Sequence, residues 1–199
     1  AGLRRDPSQP HGLACAGGGP RTEAEIAHFK SIEGLRREEG GYQAIMRTKP
    51  QTLSFAMIDS PVGVCTWLVE KFHGWSDRRG GFAQVFSHDQ LLTNVMIYLV
   101  TGSFGTVSWI YHARAHEDRL EPSVAEGARI PKPAGIATFP FEFLPFPPRS
   151  YVERSMNIVH WSDMDRGGHF AALECPDLMI KDLRTFGSLL RRQGLLPRD

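Results

Sequence analysis

The sequence predicts an α/β chain in which a helical block precedes the tail of a sheet. Two patterns carry that reading. Between residues 22 and 115, apolar side chains recur at helical spacing, and Ser, Thr, Gly and Pro punctuate the ends of each run. Beyond residue 132 the texture changes to two short apolar runs separated by prolines and glycines, then one more amphipathic stretch. Strand, helix, strand, turn and helix behind a helical insert is the layout of helices set on an α/β sheet.

The elements follow in order. Residues 1–21 carry glycines and prolines with almost no apolar periodicity, so they are expected to form a disordered leader. Thr22, with Glu25 three residues on, forms a capping box that starts a first helix running toward Arg47, weakened at Gly40-Gly41 and stopped by Pro50. Ser60-Pro61 opens a second helix to Phe72, and Arg78 to Ala83 is a polar loop. Ser87 caps a third helix, Asp89 to Thr101, and a fourth runs from Ser103 to about Ala115. Leu91 to Tyr111 holds 21 residues without a charge, long enough to cross a bilayer, but its glycines and hydroxyls favour two buried helices meeting at Thr101-Gly102-Ser103.

His116 to Lys132 is a polar loop of 17 residues, long enough to be a binding or lid segment. Gly135 to Phe139, bounded by Pro133 and Pro140, reads as a strand, and Asn157 to Trp161 as another. Arg166-Gly167-Gly168-His169 is a turn, and Pro176 opens a last amphipathic helix carrying Leu178, Ile180, Leu183, Phe186, Leu189 and Leu190. The domain reading is a leader (1–21), a helical region with its connecting loop (22–132) and a sheet portion (133–199).

Composition narrows the function classes. With 41% hydrophobic and 23% charged residues the chain is an ordinary globular one, and 199 residues can bury about 70% of the unfolded surface. A net charge of +1 without a basic stripe argues against nucleic-acid binding. Three widely spaced cysteines, Cys15, Cys65 and Cys175, form neither a metal pair nor a disulfide framework, which points to a reducing compartment. Gly12 to Cys15 is similar to a lipoprotein cleavage site but lacks the preceding apolar segment, so the expected location is cytoplasmic. The histidines do not show metal-binding spacing, and Gly17-Gly18-Gly19 lacks the Lys-Ser/Thr of a phosphate loop. Neither metal nor cofactor is expected.

Asp165-Arg166-Gly167-Gly168-His169 follows a strand and precedes a helix. Its glycines let the chain turn tightly and lift an imidazole above the carboxyl edge of the sheet, where open α/β sheets bind ligands. A histidine there suits general-base work; a surface loop histidine without a role is the equal alternative. Glu142 follows the first strand by three residues and could orient His169 if the strands are neighbours, with Asp163, Asp165 and Glu174 as rivals. Tyr42 and Tyr111 can donate to an oxygen gaining negative charge, although Tyr98 and Tyr151 are equally eligible and packing is the default for each.

Several independent motifs resemble the microsomal-type epoxide hydrolases. They are Gly41-Tyr42-Gln43-Ala44-Ile45, Thr48-Lys49-Pro50-Gln51-Thr52, Asp59-Ser60-Pro61-Val62-Gly63, Glu70-Lys71-Phe72 and Leu92-Thr93-Asn94-Val95-Met96-Ile97-Tyr98 with Thr101-Gly102. The tail motif Arg166 to Ala172, followed by Glu174 and Pro176, is similar to that family's catalytic-histidine segment. The resemblance covers roughly residues 27–190. It implies an α/β-hydrolase fold with a helical cap, here a partial one: the cap, then the last strands and helices of the sheet domain.

The resemblance also implies a mechanism. An aspartate attacks an epoxide carbon to form an ester, two cap tyrosines bind the epoxide oxygen, and a histidine oriented by an acid activates the hydrolytic water. Residue by residue, Tyr42 and Tyr111 match the tyrosines, Glu142 in Phe139-Pro140-Phe141-Glu142 matches the acid, and His169 matches the base. Implied partners are a small hydrophobic epoxide and water, in a detoxifying role.

The chain departs from the family in one respect. His-Gly-x-Pro and the nucleophile elbow do not occur; Asp6 sits in Arg5-Asp6-Pro7 and the remaining aspartates lie in or after the cap, so none has the context of the nucleophile. The expectation is therefore a fragment whose open sheet calls for a separate N-terminal half or a second copy. An inactive remnant or partner-binding fragment of the same fold is the alternative.

Overall fold

The structure is a computed structural model, and it describes residues 21–116 and 129–197. The leader, apart from Arg21, and residues 117–128 of the long loop lie outside the described residues, as does Cys15.

Helix α1 (Glu23–Glu39) begins with the expected reciprocal cap: the Thr22 hydroxyl accepts from Glu25 N, and the Glu25 carboxylate accepts from Thr22 N at 3.0 Å. The first helix does not reach Arg47. It ends at Gly40, and α2 (Gly41–Thr48) is a separate helix, because two adjacent glycines cost about 1 kcal/mol each in a helix interior. Pro50 opens α3 (Pro50–Ile58) instead of acting only as a stop, since a proline at the first helical position loses no hydrogen bond. Helix α4 (Pro61–Trp75) is capped by Ser60, whose hydroxyl accepts from Gly63 N at 3.0 Å.

A single turn, α5 (Phe82–Val85), shortens the polar loop and leads to α6 (His88–Thr101) and α7 (Phe104–His116). The last two are bent by 86° at their junction, and no single helix among the described residues is long and apolar enough to cross a membrane. They are not buried on all sides, as the uncharged run had suggested. Leu91 and Val95 face inward, whereas Leu92, Met96, Ile97 and Val100 are exposed. Met46, Val64, Val95 and Phe104 form the main helical core, with Tyr42, Tyr98 and Tyr111 packed against it.

The second part holds β1 (Ile130–Thr138), α8 (Arg149–Val152), β2 (Met156–Asp163), α9 (Ala171–Glu174) and α10 (Pro176–Arg192). The strands pair in parallel, with Thr138 opposite Asp163. Pro133 lies inside β1 and does not bound it. The ladder absorbs it at an irregularity between Ile130 and Pro133, where a residue without an N–H is tolerated. Helix α10 lies close on this pair: a Cβ at Gly135 would come within 3.0 Å of the Phe186 ring. Asp182 of α10 also accepts from His160 Nε2 at 2.7 Å and from Ser162 Oγ at 2.6 Å.

Phe170 and Glu25 provide two of the links between the helices and the second part. Phe170 stacks on Phe72 at 4.1 Å in a second cluster with Phe86 and Leu91. Glu25, fully buried on α1, accepts from Arg154 at 2.6 Å and from Ser150 at 2.9 Å. Burial alone would raise the Glu25 pKa; the Thr22 amide, Ser150 and Arg154 outweigh it and hold the carboxyl below its ordinary value. Glu25→Ala is expected to cost about 3 kcal/mol, measured by urea unfolding, because Arg154 loses its counter-charge. The 23% exposure of Arg154 keeps that cost at the low end for a broken buried pair.

Candidate active site

The site lies where β1 and β2 end. The ladder continues past the strands as a parallel bridge between Phe141 and Gly168, and Phe141 N donates to Gly167 O at 3.1 Å. The residues that come next, Glu142 and His169, therefore fall side by side. His169 Nδ1 is 2.8 and 3.0 Å from the two Glu142 oxygens, so it donates to the carboxylate.

The turn that raises His169 depends on both of its glycines. Gly167 has φ +100°, and a Cβ there would be 2.5 Å from Cys175 Sγ. Gly168 sits between two backbone carbonyls: a Cβ would be 2.6 Å from Trp75 O and 2.9 Å from Phe141 O.

The rival acids are engaged elsewhere. Asp163 accepts from Thr138 Oγ1 at 2.6 Å and from Trp161 Nε1 at 3.0 Å. Asp165 faces Arg166, and Glu174 accepts backbone N–H groups of the turn. Asp77, just after α4, accepts from Arg79 and from Gly167 N at 3.1 Å. Its pKa drops from 3.8 to about 2, chiefly through the Arg79 hydrogen bond, against the opposing effect of burial. The stability this adds is present above pH 3.8 and is lost as pH falls toward 2.

Trp75 joins the two parts of the site. Its ring stacks on Phe143 at 4.0 Å, meets the His169 ring edge-on at 5.1 Å and touches Tyr42 at 5.5 Å. Its indole N–H donates to Glu39 at 2.8 Å, which fixes the ring plane. Tyr42 and Tyr111 pack edge-to-face at 5.7 Å. The Tyr42 oxygen accepts from Gln43 Nε2 at 2.8 Å. Burial, then the neighbouring Tyr42, pushes the Tyr111 pKa up, further from ionisation.

The structure thus brings Glu142 and His169 into contact, pairs Tyr42 with Tyr111, and connects the pairs through Trp75. Tyr98 packs against the helical core, and Tyr151 lies at 5.0 Å against Phe29, away from the site. Trp75, Phe143 and the backbone-binding roles of Asp77 and Glu174 were not legible beforehand. The available signal was a tryptophan placed where an apolar helix meets a polar, glycine-bearing loop.

No family model matches the chain. It is 36% identical over 171 residues to "Epoxide hydrolase 1" of Sus scrofa, covering 83% of this chain and 37% of the relative. It is 35% identical over 151 residues to "Putative epoxide hydrolase" of Stigmatella aurantiaca, covering 76% of this chain and 33% of the relative. The chain therefore spans about a third of the length of the curated relatives it matches. Among solved structures, that of Aspergillus niger epoxide hydrolase superposes with a TM-score of 0.68 at 26% identity, over 95% of this chain and 44% of the other. In sequence over most of its length, and in fold, the chain is similar to one part of the epoxide hydrolases of α/β-hydrolase fold.

Proposed function

We propose that these residues carry the water-activating and oxygen-binding half of epoxide hydration. A carboxylate supplied from outside this sequence attacks a ring carbon. The C–O bond breaks, and the oxygen takes up negative charge that the Tyr42 and Tyr111 hydroxyls stabilise by donating to it. The product is an alkyl-enzyme ester. With Nδ1–H held by Glu142, neutral His169 presents its lone pair at Nε2, where it takes a proton from water. The resulting hydroxide attacks the ester carbonyl and the ester C–O bond breaks; the hydroxide's proton passes to the departing oxygen and the imidazolium proton to the ring-opened alkoxide, so the diol leaves with the carboxylate and neutral His169 restored. The observation that carries this reading is the 2.8 Å contact between Glu142 and His169 at the strand ends. Trp75 and Phe143 supply an apolar wall suited to a small hydrophobic epoxide, and we assign the setting to cytoplasmic detoxification.

The test is co-expression of this chain with the part of the Sus scrofa relative outside the match, assayed for diol formation from an aryl epoxide. We expect diol from the pair and none from the 199-residue chain alone. Tyr42→Phe is expected to lower turnover by about 10²–10³-fold, the usual cost of one donor to a developing oxyanion. Diol formation by the chain alone would overturn the division of labour. A folded pair without activity would favour the second reading, a partner-binding remnant, to which the exposed apolar residues Phe55, Val62 and Val100 lend support.

A further inference from the structure

We infer that Glu174 and Asp77 are positioning residues for His169, acting through the backbone of the glycine turn; this rests on His169 being the base proposed above. Four consecutive amides of the turn each have a fixed acceptor. Gly167 N donates to Asp77 Oδ2 at 3.1 Å, Gly168 N to Glu174 Oε2 at 3.0 Å, His169 N to Trp75 O at 2.9 Å, and Phe170 N to Glu174 Oε1 at 2.9 Å. Glu174 Oε2 also accepts from Asp77 N at 2.8 Å. The two carboxylates thus work in opposite directions across one seam. Asp77 reaches from the helical part to the turn, and Glu174 reaches from beyond the turn back to the helical part.

Capping of the short α9 helix does not account for Glu174, because Gly168 and Asp77 lie outside that helix. The arrangement matters because the His169 side chain is 39% exposed, so packing alone does not immobilise it. Its ring can meet Glu142 only if the backbone below is held, and misplacement by about 1 Å is costly at a reacting centre. The same seam holds Trp75 O against His169 N, so the aromatic wall and the imidazole keep one relative position.

The experiment uses the full chain labelled with ¹⁵N, with NMR reading both the His169 tautomer and amide hydrogen exchange. In the unaltered chain, neutral His169 is expected to carry its proton on Nδ1. Glu174→Gln replaces one acceptor oxygen with an NH₂ group. It is expected to accelerate exchange at Gly168, Phe170 and Asp77 by about tenfold, and to shift His169 to the mixed tautomers of an unrestrained ring. Asp77→Ala should do the same more weakly, and it serves if Glu174→Gln does not fold. Glu142→Gln should alter the tautomer while leaving amide protection in place. Faster exchange with an unchanged tautomer in either seam variant would show a purely structural role and overturn the inference. A proton on Nε2 in the unaltered chain would instead remove the Glu142–His169 reading, and this inference with it.

Discussion

His169→Gln is expected to stop turnover at the covalent ester and leave ring opening intact. In the co-expressed pair, mass spectrometry should show a species heavier by the mass of the epoxide, while diol release falls by about 10³-fold. The separation follows from chemistry: ring opening draws on the attacking carboxylate and the phenols, whereas ester hydrolysis needs a base for water. Glutamine is close to histidine in reach but takes no proton at neutral pH. Glu142→Gln should trap less ester, because the imidazole survives and loses only its orienting partner at 2.8 Å. Loss of ring opening and hydrolysis together in His169→Gln would contradict the assigned step.

Gly168→Ala is the second large effect. The added methyl would lie 2.6 Å from Trp75 O and 2.9 Å from Phe141 O. Both are backbone atoms, so relief requires moving the strand extension or the end of α4. Overpacking of this kind costs about 3 kcal/mol, and the shift required would separate Glu142 from His169. A lower urea midpoint and loss of the Nδ1–H tautomer should therefore appear together. Gly34→Ala is the control: it lies in the interior of α1, a Cβ there meets nothing within 4 Å, and the change should stabilise by up to about 1 kcal/mol. If Gly168→Ala matched that control, the close approach would carry no weight.

Local chemistry wrote much of this architecture into the sequence. Thr22, Ser60 and Ser87 mark helix starts because a hydroxyl can satisfy an orphan N–H within three residues. Pro50 was harder, since an interior proline ends a helix and the same residue one position later begins another; only the packing of α3 decides. The start of β1 was hidden for a related reason. Pro133 looks like a boundary until β2 is known to lie alongside and take up the irregularity.

Legibility at the site follows the same division. The glycine turn and His169 stand out locally, and the approach of Glu142 follows once the two strands are neighbours. The part played by Trp75 depends on residues 36 and 94 positions away, Glu39 and His169, and no local periodicity encodes such contacts. Asp77 and Glu174 are obscure for a different reason: their partners are backbone amides, which every sequence supplies.

Phe170, the neighbour of His169, is stacked face-to-face on Phe72 inside the helical cluster with Phe86 and Leu91. The imidazole is thereby tethered to the integrity of the helical part, and not only to the strands from which it rises. On heating, the helical part cannot melt independently while the rest stays in place, because unpacking Phe72 withdraws the support beneath the adjacent residue. In the co-expressed pair, heat inactivation and melting of these helices should thus coincide as one cooperative event.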